Sequence, residues 1–338
     1  MIEKKIINKN KLPDLFAKIT ANKSRILAPV IDEKGLIIFS EVSSYEKIAP
    51  DYIQTTLSAK ESVFPQYEEV LKFQTVDKDI QVIDNKKDPV PTVVFGCRPC
   101  DARSVSTLSA VFLQDSEDVF YKNRLSSTTI ISISCAKADD MCFCTSTGGG
   151  PGDPTGSDIL LTQINDNSYL AEILTEKGKA IVSLSPELFS NAASEKKEDH
   201  LADVKPKFDM KVIREKIDKN FESDIWMLQS LRCLGCGACA YVCPACSCYD
   251  LQDENKKCNG SRVRCWDNCG FSQFTLHTSG HNPREVQGMR WRQRLMHKFS
   301  YQPEMLNVSG CVGCGRCSRA CPVDMNILEH LIEFMEEN

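Results

Sequence analysis

Two stretches near the end of this chain repeat one cysteine spacing. The first is Cys233-Leu-Gly-Cys236-Gly-Ala-Cys239-Ala-Tyr-Val-Cys243-Pro244, and the second is Cys311-Val-Gly-Cys314-Gly-Arg-Cys317-Ser-Arg-Ala-Cys321-Pro322. Each is the C-x2-C-x2-C-x3-C-P run that ligates a cubane iron–sulfur cluster in bacterial-type ferredoxins. In two-cluster proteins the fourth cysteine of each run serves the other cluster. The expected ligand sets are therefore Cys233, Cys236, Cys239 and Cys321 for one [4Fe-4S] cluster. Cys311, Cys314, Cys317 and Cys243 form the set for the second.

Three thiols at steps of three residues wrap a tight loop around one face of a cubane. Gly235, Gly237, Gly313 and Gly315 let the backbone approach and turn its N–H groups toward sulfur. A zinc ribbon also uses C-x2-C pairs, but it needs two pairs per site and no third cysteine at the same step. A disulfide framework suits small secreted domains, whereas this chain has 338 residues and its start lacks the apolar core of a signal peptide. Eighteen cysteines in such a chain point to metal ligation in a reducing cytoplasm.

The elements that would carry these and other thiols read as follows. A short helix is expected over 13–21, then strands at 25–30 and 35–39 around an Asp32-Glu-Lys-Gly35 turn. Apolar β-branched runs at 92–96 and 128–134 read as strands, with a helix over 101–114 between them. Further strands are expected at 159–162 and 180–184. This pattern predicts an α/β N-terminal domain over 1–205 with a mixed sheet. A polar stretch at 191–205 reads as a linker or solvated helix, and 208–231 as one long helix entering the first run. Residues 206–338 would then form an α-rich, two-[4Fe-4S] ferredoxin-type domain, with residues 244–310 inserted between the runs.

If strands 92–96 and 128–134 are parallel neighbours, Cys100 and Cys135 sit together at the carboxyl edge of the sheet, where α/β folds place ligands. Cys142 and Cys144 follow just before a Gly148-Gly-Gly-Pro151 turn, and the four thiols form a candidate third iron–sulfur site. Buried packing cysteines or a zinc ion are the blander alternatives. Cys97 is a fifth thiol that spacing does not assign. Cys246, Cys248 and Cys269 form a candidate further site between the runs, beside Cys258 and Cys265, for which free or packing cysteines serve equally well.

Other chemistries find little support. The net charge is −5, with 41 basic and 46 acidic residues, and no nucleic-acid partner is expected. No apolar run approaches a membrane span. No G-x-G-x-x-G follows a strand and no P-loop is present, so no nucleotide cofactor is expected in this chain. Arg284, Arg290, Arg292, Arg294, His297 and Lys298 crowd around Trp291. Such a group is normally a solvated helix face; the functional alternative is a docking patch or counter-charge for anionic clusters.

Taken with these runs, several motifs carry a resemblance. They are Gly96-Cys-Arg-Pro-Cys100-Asp101, Cys142-Phe-Cys144, Cys243-Pro-Ala-Cys246-Ser-Cys248-Tyr-Asp250, Arg264-Cys-Trp-Asp-Asn-Cys269, Ser279-Gly-His-Asn-Pro-Arg284 and Arg290-Trp-Arg-Gln-Arg-Leu-Met-His-Lys298. Over most of its length the chain resembles a family of iron–sulfur subunits. That family is typified by the beta subunit of cytoplasmic sulfhydrogenases and by the iron–sulfur subunit of anaerobic sulfite reductases. Cys97, Cys258 and Cys265 depart from its pattern. The resemblance implies a non-catalytic electron-transfer subunit of a multi-subunit oxidoreductase that binds no organic substrate. Its partners would be a flavin- and NAD(P)H-binding protein together with a catalytic subunit such as a hydrogenase or sulfite reductase. A free polyferredoxin-like carrier and a redox-sensing or structural metal protein are the competing readings.

Overall fold

Apolar β-branched runs alternate with capped helices along the first half of the chain, and they assemble one mixed sheet. The structure, a computed structural model, describes residues 2–84, 88–192 and 195–336. In chain order the strands are β1 (Glu3–Asn8), β2 (Arg25–Ile31), β3 (Ile37–Val42), β4 (Tyr67–Val76), β5 (Asp79–Asp84) and β6 (Thr92–Cys97). They continue with β7 (Thr128–Ile133), β8 (Ile159–Asn165), β9 (Ser168–Ile173), β10 (Phe189–Asn191), β11 (Tyr249–Lys256) and β12 (Asn259–Trp266). The main sheet has the order β10-β1-β9-β8-β7-β6-β2-β3. Its centre, β2-β6-β7-β8, is parallel, and antiparallel strands close both sides.

Alternation along β6 sends Val93 and Phe95 to one face and Val94 to the other. The first face packs on helix Leu12–Ala21 through Leu12, Leu15, Phe16 and Ile19. On the second, Val94, Cys97, Ala102 and Ile130 form a smaller core under helix Pro99–Phe112. Gly96, at φ +81°, makes an irregularity between Phe95 and Cys97, which leaves Cys97 a 1 % exposed packing residue. An added Cβ at Gly96 would lie 2.9 Å from the Tyr52 hydroxyl.

Three expectations need correction. Residues 180–184 are not a strand: helix Glu176–Ser183 occupies the stretch, started by Thr175, whose side chain accepts from Gly178 N. The Ala-Ile-Val run is too short to distinguish a buried helix turn from a strand, and the cap decides it. The single helix expected over 208–231 is two, Met210–Lys219 and Ile225–Ser230, separated by a turn through Asn220 and Ser223. The polar stretch 191–205 runs through a 3-10 turn at Lys197–His200, with Ala193 and Ser194 outside the described residues.

A second sheet, β11-β12-β4-β5, was not foreseen. It pairs a hairpin from the first hundred residues with one from the insertion between the cysteine runs, so strands from either side of residue 205 share one ladder. Arg264 on β12 is buried at its base, ion-paired to Glu68 of β4 and to Asp118; Arg124 Nε donates to Glu68 Oε1 at 3.0 Å. A second buried pair ties the main sheet to the second cysteine run. Arg316 donates to both carboxylate oxygens of Asp101, at 2.6 and 2.8 Å, and to the Thr55 carbonyl at 2.9 Å.

No helix among the described residues is long and apolar enough to cross a membrane.

Candidate metal centres

The two cysteine runs fold alike. Gly235 and Gly313 have φ of +65° and +63°, Gly237 and Gly315 of +81° and +70°. The second glycine of each pair opens a one-turn helix, Ala238–Tyr241 in the first run and Arg316–Arg319 in the second. The two short helices pack against each other. Left-handed φ at four matched positions explains why glycine stands there. At Gly237 space adds to the demand, because a Cβ would lie 2.3 Å from Asn268 Nδ2, which itself donates to the Gly237 carbonyl at 2.7 Å.

One cavity is lined by Cys233, Cys236, Cys239 and Cys321, the set expected from the crossed-ligand rule, together with Cys317 of the other set. Trp291, Val323, Met325 and Ile327 wall it. Gln287 Nε2 lies 3.1 Å from Cys233 Sγ, and the Met325 N–H donates to Cys321 Sγ at 3.2 Å. Donors aimed at sulfur in an apolar hollow suit thiolate ligands of a cluster.

Around the second set, Cys243, Cys311 and Cys314 are buried. The Lys298 ammonium donates to Cys243 Sγ at 3.3 Å and to the Gly310 carbonyl at 2.8 Å, and its charge also acts on Cys311. Arg294, 4 % exposed, faces Cys239, Cys246, Cys317 and Cys243. The solvated-face reading of the 284–298 basic stretch is therefore wrong for these two residues. Helix Gln287–Met296 runs into a π-helical turn, His297–Tyr301, and Arg294 and Lys298, four residues apart, both turn inward.

The N-terminal group also assembles. Strands β6 and β7 are parallel neighbours, so Cys100 and Cys135 leave the same sheet edge. Cys100 faces Cys135 and Cys314, and Cys144 faces Cys135 and Cys142. Gln54 Nε2 lies 3.3 Å from Cys100 Sγ, and Arg319 Nη2 lies 3.4 Å from Cys142 Sγ. Burial pushes the Cys135 thiol up to about 11 and Cys144 up to about 12. Bare, these groups stay protonated at neutral pH; iron would hold them as thiolates. This group abuts the second run: the Phe143 N–H donates to the Gly313 carbonyl at 2.9 Å, and a Cβ on Gly313 would strike the Phe143 backbone at 2.5 Å.

Among the described residues, no three His, Cys, Asp or Glu side chains draw together closely enough to hold a single metal ion. Thiol-rich groups with N–H donors and a buried ammonium aimed at sulfur are the donor chemistry that an iron–sulfur cluster takes.

Cys246, Cys248 and Cys269 gather beside Cys239 and Cys243. Cys258 is exposed at the tip of the β11–β12 hairpin, and Cys265 on β12 contacts the Asp250 carbonyl. Sequence reasoning missed Lys60, only 3 % exposed, whose Nζ donates to the Cys246 carbonyl at 3.1 Å and lies 3.6 Å from the Trp266 ring centroid. No spacing signal links residues that far apart. The carboxyl edge of the main sheet also opens a cleft beside Tyr45, Tyr52, Arg98, Lys137 and Tyr169 that the sequence did not foreshadow.

Comparison with known proteins agrees with this geometry. Residues 232–325 match the 4Fe-4S dicluster domain family. Over 332 residues the chain is 29% identical to sulfhydrogenase 2 subunit beta of Pyrococcus furiosus, covering 96% of this chain and 96% of that protein. The resemblance carried by the cysteine motifs is thus found along nearly the whole chain. No solved structure matches it.

Proposed function

We propose that this chain is the electron-relay subunit of a cytoplasmic multi-subunit oxidoreductase. It passes electrons between a flavin- and NAD(P)H-reactive protein and a catalytic partner of the hydrogenase or sulfite reductase kind. The observation that carries the reading is the single cavity that gathers three thiols of the first run with the fourth of the second. That crossed sharing belongs to two-cluster, ferredoxin-type domains. The relative, by its name, is a sulfhydrogenase subunit, which supports the partner assignment.

In this reading Cys233, Cys236, Cys239 and Cys321 hold the first [4Fe-4S] cluster, and Cys311, Cys314, Cys317 and Cys243 the second. Cys100, Cys135, Cys142 and Cys144 hold a third. When bound, such clusters accept and release single electrons, which lets a two-electron flavin communicate with one-electron chemistry. The chain's own residues arrange the order of transfer. Segment 141–144 lies against the second run, and the second run's helix lies against the first run's. Cys236, an exposed thiol at the first site, puts that end of the path at the surface. Arg294 and Lys298 supply buried positive charge between and beside the quartets, which favours the reduced, more anionic state.

Anoxic purification from the source cells tests this. A stable complex containing a flavoprotein and a catalytic subunit is expected, with the clusters reduced by nicotinamide only when the flavoprotein is present. A lone monomer reducible by several unrelated enzymes would favour the free-carrier reading. Clusters that no physiological donor reduces would favour a sensor or structural role.

A further inference from the structure

The three cysteines between the runs are brought together by a definite piece of folding. Pro244 turns the chain out of the first run, and Cys246 and Cys248 follow at once. Strands β11 and β12 then zip from their tip to the Tyr249–Trp266 pair. The ladder is extended by the Asp267 N–H donating to the Cys248 carbonyl at 3.1 Å. Closing the hairpin base in this way brings Cys269 back to Cys248, and their thiols interact directly. Cys246 is the shared neighbour of both.

Three buried cations converge on the same place from separate elements. Lys60 comes from the 3-10 turn Ala59–Ser62, Arg294 from helix Gln287–Met296, and Lys298 from the π-helical turn. Each is at most 4 % exposed. The charges that act most on Lys60 are Cys246, Cys243 and Cys248, and Arg294 Nη1 lies 3.8 Å from Cys246 Sγ. None of the three forms an ion pair with a carboxylate among the described residues. A buried cation without an anion costs several kcal/mol by rough estimate; burial pulls the Lys60 pKa down, and charge on Cys246, Cys243 and Cys248 acts to hold the ammonium. Lys298 donates to Cys243 of the second quartet, whereas Lys60 is acted on first by Cys246 and only then by Cys243. Cys246, Cys248 and Cys269 belong to none of the apolar core clusters.

We propose that Cys246, Cys248 and Cys269 are the thiolate ligands of a further iron–sulfur cluster, with Lys60 among its counter-charges. This rests on the relay reading, since it places the added cluster beside Cys239 and Cys243 of the two ferredoxin-type quartets. Cys243 stays with the second quartet, so the site offers three protein thiolates.

The test uses the full chain, purified anoxically, with Cys246, Cys248 and Cys269 all changed to Ser. The expected result is a loss of about three to four iron and as many sulfides per chain, with the signals of the two ferredoxin-type clusters retained in paramagnetic resonance of dithionite-reduced protein. Cys258→Ser with Cys265→Ser should lose none. Should the triple variant not fold, Lys60→Gln provides the second reading: one reduction midpoint moves to lower potential while the others stay. Unchanged iron in a folded triple variant, no midpoint shift in Lys60→Gln, or stoichiometric zinc at these cysteines would each overturn the proposal while leaving the relay intact. Absence of sulfide from the unaltered protein would overturn both.

Discussion

At Gly237 a single hydrogen atom separates a working loop from a blocked one. Its φ of +81° and the 2.3 Å approach of Asn268 Nδ2 leave no room for a methyl group, and Phe271 stands 2.7 Å away on the same side. Gly237→Ala should therefore push Asn268 from the loop carbonyl and spread Cys236 and Cys239. The expected outcome is loss of about four iron, one cluster's worth, while the second run keeps its own signal. Anoxic iron analysis with paramagnetic resonance reads this directly, and full iron with wild-type signals would contradict it. At this scale the sequence was highly legible, because cysteine and glycine spacing is local information. Lys60 was illegible for the opposite reason: it meets Cys246 only through the tertiary fold. Arg294 and Lys298 were visible as charges, but their burial depends on the helix turning that face inward.

Among the elements, the central strands and helices of the main sheet follow from apolar periodicity, and the parallel β6–β7 pair places Cys100 and Cys135 as anticipated. The second sheet does not. Its β5 strand is exposed along its whole length, so no alternation marks it, and its partners lie nearly two hundred residues apart in sequence. It is joined to the rest by the ion pairs of Arg264 with Asp118 and of Arg124 with Glu68, and by Trp266 and Tyr249 packing on Phe64 and Phe112. Removing one partner of a buried pair strands the other charge and typically costs about 3–5 kcal/mol. Glu68→Ala should lower stability by about that amount in denaturant unfolding of the anoxic protein; a change below about 1 kcal/mol would mean that the network is incidental. Because β12 leads straight to Cys269, the same variant should also loosen the base of the hairpin.

For the whole molecule, the cysteine groups form one connected body. Asp101 and Arg316 join the N-terminal group to the second run, and the paired helices join the second run to the first. The α/β part thus positions the third group against the dicluster domain. The central claim is that the two runs hold iron and sulfide. Its most direct measurement is metal and acid-labile sulfide analysis of protein kept free of oxygen throughout. At least about eight iron and eight sulfides per chain are expected from the two runs, with more from the N-terminal group, and little zinc. Protein that is folded but carries zinc in place of iron, or iron without sulfide, would contradict the account.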